Sequence, residues 1–296
     1  MGYLYLAVAL LSGATKGYCG KRTSGRITGW RSTMQANLLR MGLCIVFGLV
    51  MVLVGGEFSG LIPTGKALGI YAMSGISTSV FVVTWLVAAR TSAYLLMDVF
   101  LMLGVVVPMS LGSICYGETI ELKHWVGLAV LLTATLILCA YNNGIKQKLS
   151  LKSLAIMLLS GVANGVTGFS QKMFQKELVG GAVSVFNLYT YVFSALSLGV
   201  VLLLTGKRGE QKPEKSVIGS VFGYILVMAV CLFLNSYFMT MAAARIPAAQ
   251  LYPLNQGAAL ILSMGMSAVF FKEKVTPKAV LGVILAFVGL LVMNVL

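Results

Sequence analysis

Charged residues are scarce in this sequence, and acidic residues are scarcer still. Only 10% of the 296 residues are charged, and eight of them are Asp or Glu, whereas 58% are hydrophobic and the mean hydropathy is +0.93. A water-soluble domain cannot hide so much apolar side chain from water. The composition therefore excludes an ordinary soluble protein and indicates a lipid bilayer as the surroundings of the chain.

The side chains that usually carry enzyme chemistry are absent or isolated. His124 is the one histidine of the sequence, and the five cysteines are scattered singly, without a CxxC pair or a metal-ligand spacing. No glycine-rich phosphate loop ending in Lys-Ser or Lys-Thr occurs, and no HExxH motif occurs either. We therefore predict that the protein is not an enzyme or an ATP-driven pump, and we expect no cofactor and no metal site.

The excess of basic residues does not predict nucleic-acid binding. The formal net charge is +14, but Lys and Arg fall in short breaks between apolar segments, as the positive-inside rule leads one to expect. The expected partners are the lipid bilayer and a small-molecule substrate, not nucleic acid. The N-terminal MGYLYLAVALL lacks the basic region and the cleavage site of a signal peptide, so we predict that it belongs to the first span.

Apolar segments that can cross a bilayer recur ten times along the chain. A spanning helix needs about 20 mostly apolar residues, and helices are expected because lipid offers no other partner for backbone polar groups. The period-two alternation of a membrane β-barrel is missing. We predict an all-α integral membrane protein with ten transmembrane helices, at residues 3–20, 34–54, 67–89, 91–113, 125–141, 153–171, 183–204, 217–243, 246–270 and 279–296.

The two halves of the chain resemble each other. A shift of 155 residues places AAR at 88–90 on AAR at 243–245, and the match continues to Leu136 and Leu291. Near the start of each half, LLSGATKGYCG at 10–20 matches LLSGVANGVTG at 158–168 with a shift of 148 residues. We infer an internal duplication, with a first five-helix repeat at 1–145 and a second at 146–296.

Five spans per repeat make the second repeat enter the membrane from the opposite side. Such an inverted repeat is an architecture of transport, because either half can adopt the conformation of the other and the two states face opposite sides. A duplicated scaffold that moves no solute is the other interpretation of the same pattern.

Loop charges predict the orientation of the chain in the membrane. The breaks after spans 1, 3, 5, 7 and 9 contain sixteen Lys and Arg, Arg40 among them, whereas the breaks on the other side contain five, Lys172 among them. Cytoplasmic loops carry the excess of Lys and Arg in short-loop proteins. We therefore predict a multi-pass protein of the cell (plasma) membrane with both termini outside.

The end of the chain resembles a known transporter family. FFKEKVTPKAVLGVILAFVGLLVMNVL is similar to the Glu hairpin and glycine-punctuated last helix of EamA-type members of the drug/metabolite transporter superfamily, and YGETIELKHWVGLAVLL echoes it in the first half. Arg40 also lies where the family commonly has an Arg early in its second helix. The resemblance implies two five-helix halves, with the first, third and fourth helices of each half around a central cavity. The sequence differs in Lys16, where many relatives have an aromatic and small polar residues, and those relatives usually keep both termini in the cytoplasm.

Lys16 and Asp98 are charged residues placed well inside predicted spans. A charge in hydrocarbon is costly, so such residues are candidates for function. At 1.5 Å per helical residue both lie about 6 to 10 Å from the same membrane face, at depths that allow them to pair. Either the pair fixes span 1 against span 4, or Asp98 is protonated and released during transport.

Neutral polar residues dominate the interior of the second half and favour a neutral or zwitterionic solute. Pro253 frees a backbone carbonyl among them, which is tolerated where protein or a water-filled cavity satisfies it. On the alternative interpretation, each Asn forms hydrogen bonds that hold neighbouring helices together. Trp85 is predicted to form a wall of the cavity, and Glu118 and Glu273 are predicted to cap the helices that follow them. The full set of predicted substrate-binding residues is Lys16, Trp85, Asp98, Asn164, Asn235, Tyr252, Asn255 and Gln256.

The sequence as a whole predicts a secondary active transporter of a small organic solute that works by alternating access, as a monomer or homodimer. Proton coupling through Asp98 is one version of this prediction. An exchanger of phosphorylated metabolites or nucleotide sugars is an alternative within transport. A non-transporting scaffold or accessory flippase subunit is the alternative outside it.

Overall fold

Helices account for nearly all of the chain that the structure describes. The computed structural model describes residues 1–24, 26–27, 29–88, 96–141, 151–205, 215–270 and 277–294. These ranges contain no β-strand. Their α-helices are α1 (Gly2–Ser24), α2 (Trp30–Gly55), α3 (Gly65–Ala88), α4 (Leu96–Gly104), α5 (Val106–Tyr116), α6 (Leu122–Tyr141), α7 (Leu151–Glu177), α8 (Val183–Thr205), α9 (Lys215–Ala243), α10 (Ala248–Phe270) and α11 (Pro277–Asn294), and a short 3-10 helix covers Phe58–Leu61.

Each of the ten predicted spans corresponds to helix, and the all-α prediction is confirmed. The fourth span is divided into α4 and α5 at Val105. Pro108 explains the division, because proline has no N–H to bond the carbonyl of Gly104 and its ring crowds that carbonyl. Among the described residues, α2, α3, α7, α8 and α9 contain segments that are long and apolar enough to cross a membrane by length and composition.

Polar contacts gather alternate helix ends on one face of the bundle. Lys66 at the start of α3 pairs with Glu177 at the end of α7, and Ser184 at the start of α8 donates to Glu57 after α2. Gly2 at the start of α1 lies beside the turn between α9 and α10. We call this the terminal face, because α1 begins there and α11 ends there, with Met293 beside Gly127 near the start of α6.

The helix pairs follow a two-fold pattern. Helix α1 packs against α9 as α3 packs against α7, and α2 packs against α9 as α3 packs against α8. Likewise α10 contacts α1 as α4 contacts α7, while α6 pairs with α11. Exchanging each span for the one five spans later reproduces these pairs, which is the arrangement expected of a duplication. The division into 1–145 and 146–296 stays a prediction, since it falls among residues 142–150, outside the described ranges.

Apolar side chains are buried between the helices and also cover the outside of the bundle. The largest buried cluster joins α1, α4, α5, α6, α9, α10 and α11 around residues such as Met109, Leu131 and Leu251. Leu203 and Leu53 are exposed on the outer surface, at 78% and 61%. An exterior as apolar as this is what lipid chains require of a membrane protein.

Candidate functional site

Lys16 lies on the inward face of α1. Ser12, four residues before it, and Cys19, three residues after it, are buried, and these spacings place the three side chains on one side of the helix. Lys16 itself is only half-buried. No ion pair or hydrogen bond joins it to another side chain in the described ranges. The side chain of Asp98 lies outside the described part of the structure, so the pair with Lys16 and the coupling role both stay predictions.

Arg40 contributes a second cation to the interior of the bundle. Its side chain is 5% exposed and lies well inside α2, where its Nη2 donates to Asn37 Oδ1 over 2.7 Å. Arg40 Nε and Asn37 Nδ2 are buried without a hydrogen-bond partner among the described residues. Lys16 and Arg40 are close enough to interact electrostatically, beside the thiols of Cys44 and Cys231. Counting Arg40 among the loop charges was wrong, because it lies inside α2, as the predicted span 34–54 already implied.

Asn164, Asn255 and Gln256 are half-buried polar residues on α7 and α10. Their side chains make no hydrogen bond with other residues of the described ranges. Asn164 also occupies the position in the second half that Lys16 occupies in the first, by the shift of 148 residues. Their role in binding stays a prediction, and these three remain the best placed of the neutral candidates.

Asn235 and Tyr252 use their donors to join helices. Asn235 Nδ2 donates to the carbonyl of Ala9 over 2.7 Å and so ties α9 to α1. The hydroxyl of buried Tyr252 donates to the carbonyl of Gly168, and its ring packs where a Cβ on that glycine would lie. Interhelical hydrogen bonds of this kind hold membrane helices together. Direct contact of either residue with a solute stays a prediction.

Trp85 lies near the end of α3 and packs against α1. Its ring is 2.8 Å from the position that a Cβ on Gly20 would take, and Met228 Cε of α9 is 3.8 Å from the same position. A side chain larger than hydrogen at position 20 would displace the indole. The predicted role of Trp85 as a cavity wall stays a prediction, and the structure adds that Gly20 positions the ring.

A polar ladder that sequence reasoning missed connects α7, α8 and α9. Gln175 Nε2 donates to the carbonyl of Thr240 over 3.0 Å, and Gln171 Nε2 lies 3.5 Å from the carbonyl of Ser236. The hydroxyl of Ser236 in turn donates to Asn187 Oδ1 over 2.6 Å. The available signal was the spacing of four between Gln171 and Gln175. It was overlooked because the predicted sixth span ended at 171, whereas α7 continues to Glu177.

A buried ion pair joins α7 to the segment after α5. Lys172 Nζ is 2.6 Å from Glu118 Oε1 and also donates to the carbonyls of Ala243 and Ile246, over 3.1 Å each. Glu118 Oε2 accepts the backbone N–H of Ala248 over 2.7 Å. The contact between Lys172 and Glu118 therefore links the two halves at the terminal face, and we call it the terminal latch.

Two expectations from the sequence were wrong at the terminal latch. Glu118 was expected to cap the helix that follows it, whereas it caps α10, whose first N–H groups have no partner within the helix and can donate to a carboxylate. Lys172 was counted as a loop charge, whereas it lies inside α7 and is 3% exposed. The expectation assumed that Glu118 caps the helix nearest to it in the sequence, whereas the helix that it does cap lies far away in the sequence.

Helices α4 and α7 meet backbone to backbone at glycines. A Cβ added to Gly161 would lie far inside contact distance of the carbonyl oxygen of Phe100, and one added to Gly165 would do the same at the carbonyl of Gly104. Gly104 in turn faces the carbonyl of Gly161. Small residues allow this close approach of membrane helices. We call this contact the α4–α7 seam, and it is closed.

The equivalent contact between α1 and α10 is open at its glycines. Gly13 and Gly17 occupy the positions of Gly161 and Gly165 in the first half. Among the residues that the structure describes, a Cβ on Gly13 would meet Asn235 Nδ2 at 3.3 Å, and a Cβ on Gly17 would meet nothing within 4 Å. We call this contact the α1–α10 seam. The two seams come from matching segments, yet they are packed differently.

Comparison with known proteins gives the family of this bundle. The sequence profile of the EamA-like transporter family matches residues 151–295, the second half of the chain. The chain belongs to the drug/metabolite transporter superfamily. As an EamA-type protein it is a multi-pass membrane protein from a family of small-solute transporters, and that family does not consist of enzymes.

Solved structures extend the likeness to the first half of this EamA-type chain. A protein described only as "Crystal structure of protein" superimposes with a TM-score of 0.78 at 14% sequence identity. The alignment covers 99% of this chain and 96% of that one. At this identity the likeness shows the fold alone. No curated protein matches the chain at a significant level.

Proposed function

We propose that this chain is a secondary active transporter that moves a small organic solute across the cell membrane by alternating access. The observation that carries the proposal is the difference between the two seams. The α4–α7 seam is closed by glycine packing, whereas Gly13 and Gly17 leave the α1–α10 seam open. A protein with two equivalent contacts in opposite states has the parts needed for two opposite conformations.

The proposed cycle exchanges the states of the seams. When α10 moves onto Gly13 and Gly17, α4 leaves Gly161 and Gly165, and access passes from one side of the membrane to the other. The glycines of the open seam permit this approach, because they present no side chain of their own to the approaching helix. The solute binds between the seams, at Lys16 and at the half-buried amides of Asn164, Asn255 and Gln256.

Flux measurements with the purified protein in liposomes test this function. Solutes loaded inside should drive uptake of the same labelled solute from outside, since counterflow is a property of a carrier and is absent from a passive scaffold. Protein-free liposomes are the control. The absence of counterflow for every solute of a broad metabolite library, together with a stable partner protein in pull-downs, would favour the scaffold or flippase-subunit alternative.

Proton coupling at Asp98 is the finer version of the proposal. Asp98 is the one acidic residue that the sequence places well inside a span. If it carries the proton, Asp98→Asn abolishes the dependence of flux on a pH gradient while counterflow at equal pH continues. A flux that responds to the gradient equally in both proteins would remove Asp98 from the coupling mechanism.

Exchange of phosphorylated metabolites or nucleotide sugars remains a second candidate because the interior contains two cations, Lys16 and Arg40. Liposomes preloaded with inorganic phosphate or with a sugar phosphate distinguish the two functions. A strict exchanger takes up label only when such a counter-substrate is inside. A uniporter or proton-coupled carrier takes up its solute without it.

The orientation of the chain is part of the same proposal. Moving Arg40 and Lys172 from the loop counts into helices leaves the excess of Lys and Arg on the same side. We therefore place the terminal face outside the cell. A C-terminal fusion to a reporter that is active only in the cytoplasm should be inactive, and an active fusion would reverse the orientation.

A further inference from the structure

The membrane-spanning helices contain more positive than negative charge in their interior turns. Away from the helix ends, the sequence provides two cations, Lys16 and Arg40, and one acid, Asp98. Even if Asp98 neutralises one cation, no carboxylate in the described ranges forms an ion pair with the other. A buried charge without a partner is strongly destabilising, so the interior favours an anion that the chain itself does not provide.

The carboxylates whose side chains the structure describes cannot supply that charge. Each of them lies near the terminal face and already has a partner. Glu118 contacts Lys172, Glu177 contacts Lys66, Glu121 contacts Lys123, and Glu57 accepts a hydrogen bond from Ser184. The thiols near Lys16 and Arg40 are neutral hydrophobes in this setting.

Arg40 has unused hydrogen-bonding capacity in a buried position. One guanidinium nitrogen, Nη2, bonds Asn37 Oδ1, while Arg40 Nε and Asn37 Nδ2 have no partner among the described residues. Both are donors, so the group that satisfies them must be an acceptor. The planar guanidinium matches the two oxygens of a carboxylate or phosphate better than any neutral acceptor.

We propose that the solute carries an oxyanion group, a carboxylate or a phosphate, which is bound by Arg40 with Lys16. The inference rests on the proposed transport function and names the substrate class of that same site. Asn164, Asn255 and Gln256 then bind the neutral polar part of the solute. A solute with one acidic end and one neutral polar end fits this division of the site.

Matched probes test the inference directly. Purified protein in detergent is titrated with short mono- and dicarboxylic acids, with the primary amides of the same acids, and with phosphate monoesters of the same carbon skeletons, and thermal unfolding is recorded. Carboxylates or phosphates should raise the melting temperature where the amides do not. The series that binds identifies which oxyanion the solute carries. Stabilisation by amides or amines alone would overturn the inference.

The most specific test is a variant that places a carboxylate of the protein itself beside Arg40. In Asn37→Asp the new carboxylate lies at the hydrogen-bonding position already occupied by Asn37 Oδ1, 2.7 Å from Arg40 Nη2. It should raise the melting temperature of the empty protein and weaken oxyanion binding by about tenfold or more, the effect of a charge-assisted hydrogen bond. Asn37→Ala is the neutral comparison: it removes one donor without adding a negative charge, so it should weaken oxyanion binding less than Asn37→Asp does. Equal oxyanion affinity in Asn37→Asp and the unchanged protein would contradict the proposal.

Lys16 gives a second test that does not depend on Arg40. Lys16→Gln should weaken oxyanion binding, and Lys16→Arg should restore it because the charge is kept. A binding curve that is unchanged in Lys16→Gln would remove Lys16 from the site. Failure of the transport proposal is distinguished by flux: a protein that moves neutral solutes equally well with Asn37 or Asp at position 37 is a transporter without an oxyanion site, whereas no flux of any solute contradicts transport itself.

Discussion

The two seams are built from matching glycine segments but differ in packing, since the α4–α7 seam is closed at its glycines and the α1–α10 seam is open. Gly161 and Gly165 have a steric reason to be glycine, since a Cβ there would collide with backbone. Gly17 has no such reason in this conformation, because a Cβ would meet nothing within 4 Å. The second conformation that we propose, in which α10 closes on α1, would supply such a reason.

The seams also differ in what holds them. Lys172 and Glu118 form the terminal latch at the end of the α4–α7 seam, and the position in α1 that matches Lys172 is Ser24. The first half therefore has no cation at that point. Under the proposed exchange of the seams, this ion pair would favour the conformation in which the α4–α7 seam is closed.

Breaking the latch should have the largest effect on stability. Lys172→Met leaves the carboxylate of Glu118 buried beside α10 with only the more distant Lys176 for a cation. Removing one partner of a buried ion pair costs about 3–5 kcal/mol. The measurement is the free energy of unfolding in detergent micelles. Lys66→Met, which breaks an exposed pair with Glu177, is the control and should cost about 0–1 kcal/mol. If the two variants lost the same free energy of unfolding, the terminal latch would contribute no more stability than the exposed pair of Lys66 and Glu177.

A methyl group in the closed seam should have the next largest effect. Gly165→Ala places a Cβ against the carbonyl of Gly104 and should cost about 1–3 kcal/mol, as overpacked cores do. Its matched control is Gly17→Ala, the equivalent change in the open seam. Thermal unfolding of the two variants side by side measures the difference. If Gly17→Ala destabilised the protein as much as Gly165→Ala, the two seams would not differ in packing as described.

Removing the hydroxyl of Tyr252 should have a smaller effect. Tyr252→Phe leaves the carbonyl of Gly168 without its donor from α10, at a cost of about 1 kcal/mol, typical of one hydrogen bond. Tyr224→Phe on the outer surface of α9 is the control and should leave the melting temperature unchanged. If flux falls in Tyr252→Phe while stability does not, the hydroxyl serves the solute and not the packing.

A larger side chain in the open seam should leave stability almost unchanged but stop transport. Gly17→Val fills space that is empty in this conformation, so the melting temperature should stay near that of the unchanged protein. The same side chain prevents α10 from closing on α1, so counterflow in liposomes should be lost. Gly42→Val, at another glycine with open space in α2, is the control and should transport. Normal counterflow in Gly17→Val would contradict the exchange of seams.

Sequence reasoning was most successful where the bilayer sets the rules. The thickness of the hydrocarbon and the need to satisfy every backbone group made the ten spans readable, with ends close to those of α1 to α11. It failed where a residue was assigned from its neighbours in the sequence but its partner in the fold lies far along the chain. Lys172 was treated as a loop charge because the predicted sixth span ended at 171, and its partner, Glu118, lies too far away in the sequence to correct that boundary.

The packing of the seams was beyond sequence reasoning for a different reason. LLSGATKGYCG and LLSGVANGVTG have the same glycines, so their sequences predict the same contact. Which contact is closed depends on the conformation and on the latch, which involves four segments of the chain. Arg40 was likewise visible as a charge, but its burial and its unpaired Nε depend on where α2 begins and on what surrounds it.

Distances across the two seams give the most direct test of whether the seams exchange their open and closed states. Spin labels at Thr15 and Ser263 report on the α1–α10 seam, and labels at Leu103 and Val162 report on the α4–α7 seam, all at exposed positions. The measurement is made in a variant without the five native cysteines, with and without a saturating solute from the flux screen. A population in which the first distance shortens while the second lengthens is predicted. Two distances that stay fixed, or that change in the same direction, would contradict the account.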